Sequence, residues 1–155
     1  MNTLKIITKS TQETKNIGKK LSKFLKIGDI LILVGDLGSG KTTFVQGIAK
    51  GLQINNRVYS PSFTIINEYP KKIPLYHIDL YRLDKIEEIL SVGIEEYLWG
   101  NGIAIIEWGE KIKELIDSYM EINFCFIKEN IRSLEFFLYG KGFNLKELES
   151  YLQKS

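Results

Sequence analysis

Gly35-Asp36-Leu37-Gly38-Ser39-Gly40-Lys41-Thr42 follows directly on the apolar run Ile30-Leu31-Ile32-Leu33-Val34. The octet fits G-x-x-x-x-G-K-[ST], a phosphate-binding P-loop. Each residue type has a chemical reason to stand there. Gly38 and Gly40 let the chain curl without Cβ clashes, so successive N–H groups can turn inward toward phosphate oxygens. Lys41 supplies a point charge for the β- and γ-phosphates, and the Thr42 hydroxyl is a hard oxygen ligand suited to Mg²⁺. The context agrees. Ile30 to Val34 reads as a buried strand, and Thr42 to Lys50 as a helix whose N-terminus favours anions. Gly51 reads as its C-cap.

Working outward, the next features are carboxylates at strand ends. Leu75-Tyr76-His77-Ile78-Asp79 is an apolar strand ending in Asp79, which is expected to hold the Mg²⁺ water shell beside Thr42. His77 shares a strand face with Asp79. As the one histidine of the chain, it builds neither a His-based metal site nor a Ser-His-Asp triad, and a packed structural role is expected. Gly102 to Ile106 is another buried strand, followed by Glu107-Trp108-Gly109-Glu110. A carboxylate at the end of a central strand of an α/β sheet lies on the ligand-binding edge. Glu107 is therefore a candidate either to ligate Mg²⁺ or to orient an attacking water. Between these lies Ser60-Pro61-Ser62-Phe63-Thr64. Two readings stand for its hydroxyls, Ser60, Ser62 and Thr64: a loop that orders around the γ-phosphate, or plain capping of a turn.

The flanks complete the pattern. Leu4 to Thr8 reads as an edge strand, and Ser10 or Thr11 as a helix cap with Glu13 completing a capping box. Ile17, Leu21, Phe24 and Leu25 give that helix a core face. Lys15, Lys19, Lys23 and Lys26 give it a basic face, read as solvated rather than as an RNA contact. Phe63 to Tyr69 reads as a strand, and Asp84 to Leu90 and Ile94 to Leu98 as short helices. Met120 to Lys128 and Arg132 to Tyr139 read as a hairpin around Glu129-Asn130, with a helix at 144–152 on the outside. The expected fold is α/β: one P-loop NTPase domain over 1–155, with a mostly parallel central sheet, flanking helices and an antiparallel hairpin portion.

Bulk numbers exclude several classes. With 155 residues, 44% hydrophobic and 26% charged, the chain has ordinary globular composition. A net charge of +2 makes no argument for nucleic acid by itself. Cys125 is the one cysteine; it lies in an apolar run and is expected to be a buried structural thiol. No apolar run approaches a membrane span and no signal-peptide core is visible, so a cytoplasmic protein is expected. An N-K-x-D motif is absent, which disfavours GTP and leaves ATP. The three arginines, Arg57, Arg82 and Arg132, form no arginine-rich kinase lid and no obvious arginine finger in cis, although Arg82 follows Asp79 closely. A minimal ATPase working with a partner remains. The rivals are a small-molecule kinase and a nucleotide-gated binding module.

Four pieces stand together in this order: Gly35 to Thr43, Ser60-Pro61-Ser62-Phe63-Thr64, His77-Ile78-Asp79-Leu80-Tyr81-Arg82 and Ile106-Glu107-Trp108. In them the chain resembles the TsaE (YjeE) family, the small ATPase of bacterial tRNA threonylcarbamoyladenosine (t6A) synthesis. The resemblance runs from about Ser10 to the end of the last hairpin. It implies ATP at Gly38, Ser39, Gly40, Lys41, Thr42 and Thr43, with adenine near Ser10 and Thr11. It implies Mg²⁺ held by Thr42 and Glu107 with Asp79 close by, and a nucleotide-responsive switch at Ser60, Ser62 and Thr64. It also implies a TsaB–TsaD pair as partner, whose transferase the ATPase keeps cycling, and leaves open any direct contact with tRNA. Ser62 stands where the family pattern has threonine, and keeps a hydroxyl.

Overall fold

The computed structural model describes residues 3–36, 38–61 and 64–153. Leu37 of the octet, and Ser62 and Phe63 of the hydroxyl-rich loop, lie outside them. In chain order the elements are β1 (Thr3–Thr8), α1 (Thr11–Phe24), β2 (Ile30–Val34), α2 (Lys41–Gly51), β3 (Ile66–Tyr69), β4 (Leu75–Asp79), α3 (Ile86–Ser91), α4 (Glu95–Leu98), β5 (Ile103–Glu107), β6 (Tyr119–Lys128), β7 (Ile131–Tyr139) and α5 (Leu145–Gln153). The strands form a seven-stranded sheet in the order β1-β7-β6-β2-β5-β4-β3. Its centre, β6-β2-β5-β4, is parallel, while β3 and the β7-β1 side run antiparallel. The mixed α/β fold read from the sequence is therefore the fold observed.

The two innermost strands, β2 and β5 as far as Ile106, are apolar without interruption because both of their faces are covered. Leu31 and Leu33 of β2 join a core with Phe44, Val45 and Ile48 of α2 and Ile17 and Leu21 of α1. Ile30 and Ile32, on the opposite face, join Ile78, Ile89, Ile94, Leu98, Ala104 and Ile106. A period-2 strand between two helical layers needs an apolar residue at every position.

The start of α1 follows from its cap. Ser10 is extended, and its hydroxyl accepts from Glu13 N at 3.0 Å. The Glu13 carboxylate accepts in turn from Lys9 N at 3.0 Å, one residue before the position a capping box uses. Of the basic face, Lys19, Lys23 and Lys26 are exposed and Lys15 is half-buried.

Some expectations are corrected. Gly51 does not cap α2: it is the last helical residue, and the left-handed position falls to Gln53 (φ 64°). Gly51 instead lies against α1, where an added Cβ would overlap Ser22 Oγ. The strand expected from Phe63 begins at Ile66, because Ile65 is left-handed (φ 71°) and bonds back to Pro61 O. The C-terminal helix is more than an outer addition. Leu148 and Leu152 of α5 are buried in the core, and Tyr151 meets Phe24 edge-on with ring centroids 5.6 Å apart. Cys125 is exposed rather than buried. The β6–β7 hairpin outgrows the sheet, so the apolar run 122–127 leaves the core partway along: Phe124 is buried, while Phe126 and Ile127 are exposed.

The crossing of α1 and α2 is made by glycines. A Cβ on Gly47 of α2 would overlap Lys15 O of α1, and one on Gly18 of α1 would overlap Phe44 O of α2. Gly47→Ala brings up to ~1 kcal/mol of helix propensity. Backbone against backbone cannot yield, and forced separation costs about 3 kcal/mol or more. Sterics win. The melting temperature of Gly47→Ala, followed by circular dichroism, is expected to fall by roughly 5 °C or more; an unchanged or raised value would contradict this packing.

Candidate nucleotide site

Parallel pairing brings the ends of the central strands level. Glu107 at the end of β5 is in register with Leu33 of β2 on one side and with Asp79 of β4 on the other. The loop after β2 leads into α2. All three chemistry-bearing segments thus open on one sheet edge, around a cleft of about 400 Å³. Ser10, Thr11, Gly38, Gly40, Lys41, Thr42, Thr43, Ser60, Asp79 and Glu107 all line it, as the sequence suggested. Thr64 does not: its hydroxyl donates to Asn67 Oδ1 at 2.7 Å, the turn-capping alternative. The Ser39 side chain is absent from the lining. Its hydroxyl is buried beside Gly35, where an added Cβ would stand 2.8 Å from it.

The loop geometry suits an anion. Gly40 is left-handed (φ 107°) and precedes the first residue of α2, with no side chain capping the helix and no acidic residue in its first turn. The start of α2 and the positive end of its dipole therefore adjoin the cleft with no acidic residue of the helix's own first turn competing. Gly38 is also left-handed (φ 78°) with open space around a virtual Cβ, so conformation rather than room requires glycine there.

Lys41 and Glu107 form the buried charged centre, each only 5% exposed in its side chain, with Lys41 Nζ 3.8 Å from Glu107 Oε1. Lys41 also donates to Gly35 O and lies 5.0 Å from the Trp108 ring centroid. The second carboxylate oxygen, Oε2, lies 2.6 Å from Nε2 of the fully buried His77. Nδ1 of His77 has no hydrogen-bond partner among the described residues, so the proton of a neutral ring belongs on Nε2, donating to Glu107. His77 is thus a hydrogen-bonded structural residue, as expected, and what it structures is the carboxylate of the site. Asp79 Oδ1 accepts from Tyr81 N at 2.9 Å, closing a turn at the strand end.

Sequence reasoning missed several lining residues. Thr14 lies one helical turn beyond Ser10 and Thr11, a spacing that could have revealed it. Tyr81 and Arg82 stand exposed on the rim, in a loop pinned by Lys111, whose ammonium donates to Leu80 O (2.9 Å), Tyr81 O (3.2 Å) and Leu83 O (2.9 Å). Asn130 and Arg132 reach the cleft from the hairpin tip; no sequence signal announced them. Trp108 is left-handed (φ 63°), a costly conformation for a bulky residue, and its ring packs 5.1 Å from that of Tyr81.

The donor set fits Mg²⁺ together with a nucleotide better than a bare metal. Among the described residues no group of three or more His, Cys, Asp or Glu is placed to hold an ion alone. One hydroxyl and one or two carboxylates are what Mg²⁺ takes when phosphate oxygens and water complete its shell. No described helix is long and apolar enough to cross a membrane.

Comparison with known proteins agrees with this geometry. Residues 8–134 match the family model described as threonylcarbamoyl adenosine biosynthesis protein TsaE. A tRNA threonylcarbamoyladenosine biosynthesis protein TsaE from Bacillus subtilis is 48% identical over 115 residues, covering 74% of this chain and 72% of that one. One from Nostoc is 43% identical over 136 residues, covering 84% and 83%. The crystal structure of YdiB from Bacillus subtilis superposes with a TM-score of 0.81 at 37% identity, covering 97% of this chain and 94% of that one. With residues 8–134 matched by the family model and relatives 43–48% identical over 74–84% of its length, the chain belongs to the TsaE family of tRNA threonylcarbamoyladenosine biosynthesis proteins.

Proposed function

We propose that this chain binds ATP with Mg²⁺, hydrolyses it slowly by itself, and serves the t6A machinery by keeping a TsaB–TsaD transferase cycling in the cytoplasm. The observation that carries this is the convergence of Lys41, Thr42, Asp79 and Glu107 at one edge of a parallel sheet, beside an uncapped helix N-terminus. The amides of the loop and Lys41 hold the phosphates. Thr42 and Glu107, with Asp79 adjacent, hold the metal, which neutralises charge on the phosphates when bound. Ser10, Thr11 and Thr14 form the α1 wall, where the adenosine end fits. Glu107, oriented by His77, is the better placed of the two carboxylates to order a water; Asp79 is its in-register neighbour.

Weak turnover in isolation follows from the rim. Tyr81 and Arg82 are exposed, so the cleft stands open to solvent on that side. A partner covering that rim excludes water and adds fixed dipoles. Phosphate release from ATP in Mg²⁺ is expected to rise at least about tenfold when a TsaB–TsaD pair is added, a barrier drop near 1.4 kcal/mol. Equal turnover with and without the pair would remove the partner from the mechanism. ATP-dependent complex formation with no turnover in either mixture would favour a nucleotide-gated binding module.

A further inference from the structure

The β6–β7 hairpin does more than extend the sheet: it reaches the P-loop. Val34 at the end of β2 pairs with Asn123, so the chain from Phe124 onward projects beyond the sheet edge on which the cleft opens. Its base packs against the loop: Phe124 meets Phe44 edge-on at 5.3 Å, and a Cβ on Gly35 would stand 2.8 Å from Phe124 O. From the returning strand, Arg132 spans three backbone carbonyls. It donates to Lys128 O and Ile131 O of the hairpin tip, each at 3.3 Å, and to Gly38 O of the P-loop, also at 3.3 Å. Phe126 supports the guanidinium from below, with Cζ 4.7 Å from the ring centroid. Ser39 N bonds to Asp36 O at 3.1 Å. The Gly38–Ser39 peptide is therefore held at both ends, its carbonyl by Arg132 and its N–H by Asp36.

We propose that Arg132 is a positioning residue of the nucleotide site: it ties the hairpin to the P-loop and fixes the Gly38–Ser39 peptide so that the following amides point into the cleft. This rests on the nucleotide reading above. An arginine suits this bridge because a planar fork with five N–H donors reaches carbonyls on two segments in a fixed geometry, whereas the three donors of an ammonium radiate from a single nitrogen on a flexible stem. A device that shapes the phosphate cradle acts on ATP and ADP alike. It therefore moves binding, and KM, more than kcat.

The test measures ADP affinity by calorimetry, ATP turnover, and melting temperature without nucleotide, for the native chain, Arg132→Ala, Arg132→Lys and Phe126→Leu. Arg132→Ala is expected to weaken ADP binding by about tenfold or more and to raise KM by a similar factor, while kcat changes less than about threefold. Arg132→Lys, which keeps the charge but loses the planar fork, recovers part of that loss, and Phe126→Leu shows a smaller loss in the same direction. These two variants carry the test if Arg132→Ala does not fold. Arg132→Ala binding within about twofold of native, or a loss confined to kcat, overturns the proposal. So does a loss that tracks melting temperature across the variants. A native chain that binds no ADP overturns the nucleotide reading itself, and this one with it.

Discussion

Replacing Lys41 by alanine is expected to weaken ATP binding by about two to four orders of magnitude. Two losses add. The first is the ammonium's charge-assisted contact with phosphate, which contributes on the order of 2–3 kcal/mol. The second comes from the carboxylate left behind. Lys41 Nζ lies 3.8 Å from Glu107 Oε1, with both side chains buried. Without the ammonium, Glu107 turns an uncompensated negative charge toward the place where the phosphates sit, and the screened repulsion is roughly 1–2 kcal/mol at effective dielectric values near 20. A total of about 3–5 kcal/mol is a factor of a few hundred to a few thousand in Kd. Arginine at this position is no simple substitute, because Trp108 and the Gly35 carbonyl already enclose the ammonium. The fold should survive in the alanine variant, since the His77 hydrogen bond to Glu107 Oε2 does not depend on Lys41. Titration calorimetry with ATP and Mg²⁺, beside a thermal melt, separates the two effects. ATP affinity within about threefold of native would detach Lys41 from the phosphates.

The residues that carry charge to the cleft were legible because each ends an apolar run. Once Ile30–Val34, Leu75–Asp79 and Ile103–Glu107 are taken as neighbouring parallel strands, their C-terminal ends must open on one edge, and Asp79 and Glu107 must lie near Lys41. Here local pattern and global topology point the same way. The hairpin shows where that reasoning stops. Apolar alternation in 119–128 looks the same whether the strand lies within a sheet or runs past it. The length by which β6 exceeds β2 is set by register, which no local signal encodes. Cys125 was misplaced for that reason, and Arg132 could not be assigned to the cleft. Gly51 was misread for a different one. A glycine at a helix end suits either a left-handed cap or a close helix crossing, and only the neighbouring helix, with Ser22 at the contact, selects the second. Ile65 was also hidden, since a β-branched residue is the last type expected at positive φ. It lies beside the hydroxyl-rich loop and bonds to Asp79 N through its carbonyl, so the strained turn helps set where β4 ends.

Glu107→Gln is expected to lower ATP turnover by about a hundredfold or more while ATP affinity holds or improves. The substitution keeps the side chain's shape, and the His77 Nε2–H can donate to the amide oxygen as it does to the carboxylate. What disappears is the negative charge. For turnover this removes the group best placed to order a water and accept its proton, a contribution of typically two to four orders of magnitude. For binding the sign reverses. Lys41 loses a partner 3.8 Å away and its charge is then compensated by phosphate alone, so ATP should bind equally well or up to about fivefold more tightly, less any weakening of the metal contact. The two effects moving in opposite directions distinguish chemistry from general damage, which would lower both. Asp79→Asn is the comparison that decides between the carboxylates. Asp79 shares the register position of Glu107 on the next strand and is engaged by Tyr81 N, an interaction that an asparagine amide oxygen also accepts. Turnover retained in Glu107→Gln and lost in Asp79→Asn would move the water-ordering role one strand over. Affinity lost in both with turnover at saturation intact would make the pair metal ligands only. Turnover lost in Glu107→Gln alone, with nucleotide still bound, places the chemistry at the end of β5, where His77 and Lys41 already orient the carboxylate from opposite sides.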